Sequence, residues 1–426
     1  MKNVLVFPCG SEIALEIARS LEGDRHFHLV GATSVDDHGR FVYSDIVTGI
    51  PWIDSAEFIP VIKKIVADKK IDLIYPATDR TIAVLKAAEA ELGAYVVSAP
   101  LATADICLSK RKTYEALNGV VRLPIDYTTA RNVPYPVFAK PEVGHSSKGT
   151  AVLRSEDEKN AFLRDHPDVL LLELLEGEEY TVDCFTDRHG HLLFAGARVR
   201  ARTMNGISVR TCPVSQDDAK LFWDLAESIN RKLCFRGAWF VQLKRNGRGE
   251  LALLEVAARF GGSSGLYRGI GVNFALLSLW DALDCDVKVL ANDYPIEMDR
   301  ALDNKYKLGI TFDEVFLDYD DTIVMSADGT INPKVMQLVF HCINKKIKVT
   351  VLSRHRGDLR KELEDRQIKG LFSRIIHLNE TDDKSQFIDN PSSVFVDDSY
   401  AERMRVGSVK KIPVFGLDMI DALMEV

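Results

Sequence analysis

The chain has 426 residues, more than one hydrophobic core accommodates, so two or three domains are expected. Its 46% hydrophobic and 27% charged residues exclude a largely disordered chain, and a formal charge of -8 argues against a nucleic-acid partner, which calls for concentrated Lys and Arg. The cysteines stand singly without zinc-ligand spacing, and no apolar run approaches the roughly 18 residues of a membrane span or forms a signal-peptide core. Reduced thiols, a cytoplasmic location and no membrane partner are therefore expected.

NVLVF is a short apolar run followed by PCGSE and the helical spacing of Ile13, Ile17 and Leu21. The scheme of strand, turn and helix repeats through HLVGATS, FIPVIKKIVADKK, DLIYPATD and AYVVSAP, which predicts a parallel α/β domain over the first hundred residues. Its strands end near Gly31, Asp79 and Ser98, at the edge where such sheets bind ligands, but PCGS is not a GxGxxG fingerprint and argues against a dinucleotide. From about Ser109 alternating strands with glycine turns such as NGRG predict antiparallel hairpins, with helices near Asp217 to Lys232 and in NFALLSLWDAL. A polar stretch around Asn292 to Asp303 leads to a third segment, α/β again, that begins near Leu308.

In the middle segment Lys140 ends a strand and precedes a loop with Gly144, Ser146, Ser147 and Gly149, a composition suited to wrapping N–H groups around phosphates. Gln242, Glu255 and Arg259 follow on two paired strands, so that Gln242 and Glu255 face one cleft as oxygen ligands for Mg²⁺. Arg198, Arg200 and Arg202 alternate along a strand and share a face; they are either a solvated surface or, with Arg210, an anion site, and mutual repulsion favours the anion site.

These residues resemble the ATP-grasp superfamily, in particular the branch of carbamoyl-phosphate synthetase and biotin carboxylase, over roughly residues 1 to 300. The resemblance implies a parallel α/β domain at 1–105 ahead of an α+β ATP-grasp domain at 106–305, with ATP and Mg²⁺ as cofactors. Lys110 and Lys140 would contact the phosphates under the loop Gly144 to Gly149, Glu173, Leu174 and Leu175 would meet adenine, and Glu179 the ribose. Gln242 and Glu255 would bind Mg²⁺, and Arg259 would stabilise the transferring phosphoryl group. The family commonly has Glu-x-Asn-x-Arg at this strand, whereas the chain has Ala257 in place of the Asn, so one metal ligand is missing.

FLDYDDTIV crowds three aspartates after an apolar run and is followed in order by VTVLS, ending in Ser353, then Lys384, then SSVFVDDS with Asp397 and Asp398. Each run delivers its polar residue to the C-terminal edge of a parallel sheet. The set resembles the haloacid dehalogenase superfamily over about 308 to 426, which implies a Rossmann-like domain, assigned here to 306–426, with no room for a large cap. Asp318 would be the nucleophile, Asp320 the acid and base, and Ser353 and Lys384 the phosphoryl ligands. Asp318, the backbone of Asp320, Asp397 and Asp398 would hold Mg²⁺.

The combined expectation is an α/β multidomain enzyme, an ATP-dependent carboxylate-amine ligase fused to a phosphatase, acting on a small-molecule carboxylate and amine, one of them phosphorylated. A homodimer is compatible with it. The alternatives are a small-molecule kinase with an opposing phosphatase, or a phosphatase regulated by a degenerate ATP-binding module.

Overall fold

The computed structural model describes residues 1–144, 148–204, 206–301 and 304–424. Strands β1 (Lys2–Phe7), β2 (Phe27–Ala32), β3 (Asp45–Val47), β4 (Leu73–Pro76) and β5 (Tyr95–Val96) form a parallel sheet in the order β3-β2-β1-β4-β5. The continuous apolar runs seen in the sequence are the buried strands of this sheet, as burial on both faces requires.

Two helices, Leu101–Leu108 and Lys110–Leu117, stand where hairpins were expected to begin. The first is mostly apolar and has no one-sided stripe, and the second, at only eight residues, buries a single short face of Thr113, Tyr114 and Leu117, too brief to stand out as a helix in sequence. Beyond them β6 (Val137–Pro141), β7 (Ala151–Leu153) and β8 (Val169–Glu173) make a small antiparallel sheet in the order β7-β6-β8. The larger sheet facing it contains β9 (Glu179–Thr186), β10 (Leu192–Met204), β11 (Ile207–Pro213), β12 (Gly237–Arg245), β13 (Leu251–Ala257), β14 (Ile296–Arg300) and β15 (Asn304–Leu308), ordered β13-β12-β9-β10-β11-β14-β15.

Strand β14 lies in the stretch read from sequence as a polar connection, and β15 follows directly after it. They extend the large sheet, with β14 paired to β11, and β15 spans the boundary expected at residue 306. Their charged residues hide the alternation, because β11 and β15 supply the backbone partners regardless of side-chain polarity.

The last sheet is parallel again: β16 (Glu314–Leu317), β17 (Lys348–Ser353), β18 (Arg374–His377), β19 (Ser393–Val396) and β20 (Val414–Phe415), in the order β18-β17-β16-β19-β20. This is the same winding as the first sheet. Strand order reverses between β16 and β19, and the crevice at such a switch point is where open parallel sheets place ligands.

One continuous core runs through all three parts, from Val4 and Ile17 through Phe274 and Leu279 to Val315, Leu338 and Ile420. Arg268 sits buried at their junction. Its Nε donates to Glu16 at 2.9 Å, Nη1 to the Asp418 carbonyl at 2.6 Å and Nη2 to the Tyr306 hydroxyl at 3.1 Å. The parts therefore meet through buried apolar and ionic contacts rather than across a wet seam.

Candidate active sites

The first site is a cavity of about 340 Å³ between the small and large antiparallel sheets. Ser109 caps the helix Lys110–Leu117 by accepting from Lys112 N, which sets Lys110 at the mouth with Nζ 3.1 Å from the Gly144 carbonyl. Lys140 is buried, its Nζ donating to the Leu254 carbonyl at 2.8 Å and lying 5.3 Å from the Tyr114 ring. Burial, only partly opposed by nearby Glu255, lowers its pKa to about 7.

Gln242 and Glu255 are direct cross-strand partners on β12 and β13, and both line the cavity. Two oxygen-bearing side chains side by side fit a hard divalent cation. Ala257, two residues along β13, is buried and brings no ligand. Arg259 donates from Nη2 to Asp79 of the first domain at 2.7 Å and stacks over Phe240, while its buried Nε has no partner among the described residues.

Glu173 also lines the cavity but is held by Arg122 at 2.9 Å and by the Ile125 amide at 3.2 Å; burial opposes its charge, and these contacts outweigh it and lower its pKa. Leu174 and Leu175 flank it on the wall, and Glu179 lies opposite, paired with Arg200 at 2.7 Å. Gly149 has a left-handed φ of 69°, and a Cβ there would press on Pro141 at 3.0 Å, so the returning limb of the loop needs glycine. Ser146 and Ser147 lie outside the described residues.

The arginine row is corrected by the structure. Arg198 and Arg200 line the cavity, but Arg202 and Arg210 do not; they are exposed and pair with Asp299 and Glu297 of β14. Register shifts around Arg202 break the shared face. The charges need no external anion for mutual relief, since Asp183, Glu179 and Asp299 each neutralise one. Arg198 still has an orphan: Nε donates to Asp183 at 2.6 Å, yet Nη1 is buried without a partner among the described residues. An unpaired buried guanidinium N–H beside a cavity fits an anionic ligand.

The second site lies at the switch point of the C-terminal sheet. Leu317 and Val396 are register partners, so Asp318 and Asp397, the next residue on each strand, emerge side by side. Oxygens of Asp318, Asp397 and Asp398 lie within 4.8 Å of one another, a hard-donor set that fits Mg²⁺. Lys384, at the start of a short 3-10 turn, is 3% exposed, and its Nζ donates to Asp318 and to Asp397 at 2.6 Å each. Burial and then Asp318 push the Asp397 carboxyl up to about 7. Ser353 ends β17 beside this group and is buried.

Asp320 turns its side chain away from the three carboxylates to His355 Nδ1, 2.9 Å distant, whose Nε2 meets Glu362 at 2.9 Å. Burial opposes the charged imidazole, but the two carboxylates outweigh it and raise the His355 pKa. His355 was not singled out in the sequence, although its place two residues after Ser353 was a usable signal. Glu12 of the first domain, which lines the first cavity near Gly262 and pairs with Arg300, carries no local signal at all.

Residues 165–302 match the family described as ATP-grasp in the biosynthetic pathway with Ter operon. The fold of this part of the chain is ATP-grasp-like. Among solved structures it is similar to the biotin carboxylase domain of 2-oxoglutarate carboxylase from Hydrogenobacter thermophilus in complex with MgADP, ADP and bicarbonate, at TM-score 0.60 and 15% identity over 70% of this chain and 74% of that one. It is similar to the L-amino acid ligase of Bacillus licheniformis, at TM-score 0.58 and 16% identity over 70% and 79%. N5-carboxyaminoimidazole ribonucleotide synthetase with ADP gives TM-score 0.56 and 13% identity over 70% and 80%. No curated protein sequence matches. The ATP-grasp family match ends at residue 302, so the second site rests on its own geometry.

Proposed function

We propose that the chain is a bifunctional enzyme, an ATP-dependent carboxylate-amine ligase joined to a phosphatase of the haloacid dehalogenase type. The observation that carries the reading is the pairing of two separate anion-ready sites in one chain: buried Lys140 and Arg198 with half-buried Arg259 around the first cavity, and Lys384 between Asp318 and Asp397 in the second.

In the ligase site Lys110, Lys140 and Arg259 neutralise the phosphates of ATP while Glu173, Leu174, Leu175 and Glu179 contact its nucleoside. Gln242 and Glu255 would hold Mg²⁺, which supplies charge neutralisation of the transferring phosphoryl group. The acceptor carboxylate, oriented by Arg198 and Arg200, takes the γ-phosphoryl group to give an acyl phosphate. The amine then forms the C–N bond as phosphate leaves.

In the phosphatase site Asp318, Asp397 and Asp398 would hold Mg²⁺. Asp318 attacks phosphorus as the ester P–O bond breaks, and Asp320 delivers its proton to the leaving oxygen. Water then gives a proton to Asp320 and attacks the aspartyl phosphate, releasing phosphate and restoring Asp318. His355, braced by Glu362, orients the Asp320 carboxyl for both transfers. Ser353 and Lys384 hold the phosphoryl oxygens.

The test is to supply carboxylate and amine pairs with ATP and follow ADP and phosphate. ADP release that requires both partners supports ligation, and Asp318→Asn should accumulate a phosphorylated product. ADP release without amine would replace the ligase by a kinase. Ala257 favours a further reading, a nucleotide-binding regulatory module, which retained ATP binding with no turnover would establish.

A further inference from the structure

Among the described residues the C-terminal sheet has no cap domain of its own, yet its carboxylate group is not open to solvent on all sides. The turn between the first helix, Glu12–Ser20, and β2 reaches across from the N-terminal domain and sets Arg25 at the mouth. Arg25 Nη1 pairs with Asp321, and Nη2 lies 3.8 Å from Asp398, one of the three clustered carboxylates.

This turn is fixed from every side. Asp24 accepts from the amides of His26 at 2.7 Å and Phe27 at 3.1 Å, and the rings of His26 and Phe27 pack edge-on against Trp280 of the ATP-grasp domain at 5.2 and 5.1 Å. Glu22 takes Lys334 of the C-terminal domain at 2.6 Å, and Gly23 lies against Leu417. The guanidinium is thus delivered by a rigid support rather than by a free arm.

Depth separates the two cations of the site. Lys384, its side chain 4% exposed, lies on the floor with the residues that would meet the phosphoryl group, whereas the Arg25 side chain is 53% exposed at the rim. What leaves past the rim is the rest of the substrate. Asp318, Asp321, Asp397 and Asp398 bring four carboxylates, which Lys384, Arg25 and one divalent cation would balance, so a second anion on the leaving group would meet Arg25 at the rim.

We propose that Arg25 is a specificity-determining residue of the C-terminal site, one that favours phosphomonoesters whose leaving group carries a second anion such as a carboxylate. The proposal rests on the phosphatase reading above. It makes the site composite, since the N-terminal domain supplies the reader and the C-terminal domain the chemistry.

Two substrates of similar size whose leaving groups carry opposite charge test it, phosphoglycolate with a carboxylate and O-phosphoethanolamine with an ammonium, with full-length protein and Mg²⁺. The ratio of their kcat/KM values should favour phosphoglycolate and fall tenfold or more in Arg25→Ala, mainly through KM. Arg25→Lys should keep part of the preference, and Arg25→Glu should reverse it. A ratio that stays within twofold of the parent's in all three variants overturns the proposal, whatever the absolute loss, because a merely structural clamp would slow both substrates alike.

Calorimetric binding of the same two esters to Asp318→Asn, with and without Arg25→Ala, gives a readout without turnover and should show the same tenfold loss. Hydrolysis by the parent that survives Asp318→Asn would refute the phosphatase reading, and a binding preference still lost in Arg25→Ala would leave Arg25 an anion reader. Intact Asp318-dependent hydrolysis with an unmoved ratio refutes Arg25 alone.

Discussion

Replacing Lys384 by Met probes the charge balance of the C-terminal site most directly. The ammonium is buried and lies 2.6 Å from both Asp318 and Asp397, so its loss leaves two buried carboxylates facing each other without their cation. Breaking a buried pair costs about 3–5 kcal/mol, and one ammonium serving two carboxylates places this change near the upper figure. Met fills nearly the same volume, so a cavity adds little.

The same variant makes a divalent cation more valuable, because the cation takes over the charge that Lys384 supplied. At about 100 times its Kd, Mg²⁺ returns about 2.7 kcal/mol. The pH dependence has a definite sign. The Asp397 pKa is raised to about 7 when folded, above the usual carboxylate value, so the folded state keeps a proton that the unfolded chain has released. Stability of the metal-free protein therefore falls as pH rises from about 4 to about 7, and removing Lys384 extends the fall to higher pH.

Urea unfolding followed by circular dichroism, with chelator and with Mg²⁺ across this range, measures all three effects. A loss below about 1 kcal/mol, or one that Mg²⁺ leaves unchanged, would refute the assignment of Lys384 as the balancing charge of a cation site.

Lys140, held near pKa 7 by burial, should take up a proton when phosphates arrive, so ADP affinity should fall as pH rises above about 7. Calorimetry in buffers of different ionisation enthalpy should detect that uptake in the parent and not in Lys140→Met. Asp318→Asn should lower phosphoester hydrolysis by about a thousandfold or more while ATP-dependent ADP formation persists, as expected for two separate sites. Equal loss of both activities would merge them. Arg268→Met should destabilise the whole chain by about 3–5 kcal/mol in denaturant, since Glu16 loses its closest buried cation, and Arg268→Met with Glu16→Leu should recover much of it. A double variant no better than the single would show that the junction is not ionic.

Residue order alone was enough to mark Asp318, Ser353, Lys384, Asp397 and the parallel sheets around them. A buried parallel strand reads as an apolar run, and the residue after the run must emerge at the shared edge. Lys140, Gln242 and Glu255 were legible for the same local reason, since strand alternation aims a side chain before its partner is known, whereas Arg259 lies two residues past the end of β13. Features that depend on distant pairing were not legible. The neutralisation of Arg202 and Arg210 waits on Asp299 and Glu297, whose strand β14 joins the sheet through β11 and β15 rather than through an apolar pattern of its own. Asp79 on Arg259, Glu12 at the first cavity and Arg25 at the rim of the C-terminal carboxylate cluster all come from the first domain. Asp79 was marked only as a strand end, and nothing in the neighbouring residues marks Glu12 or Arg25, because their roles exist only once one continuous core brings the domains together, and that core is a property of packing between parts far apart in the chain.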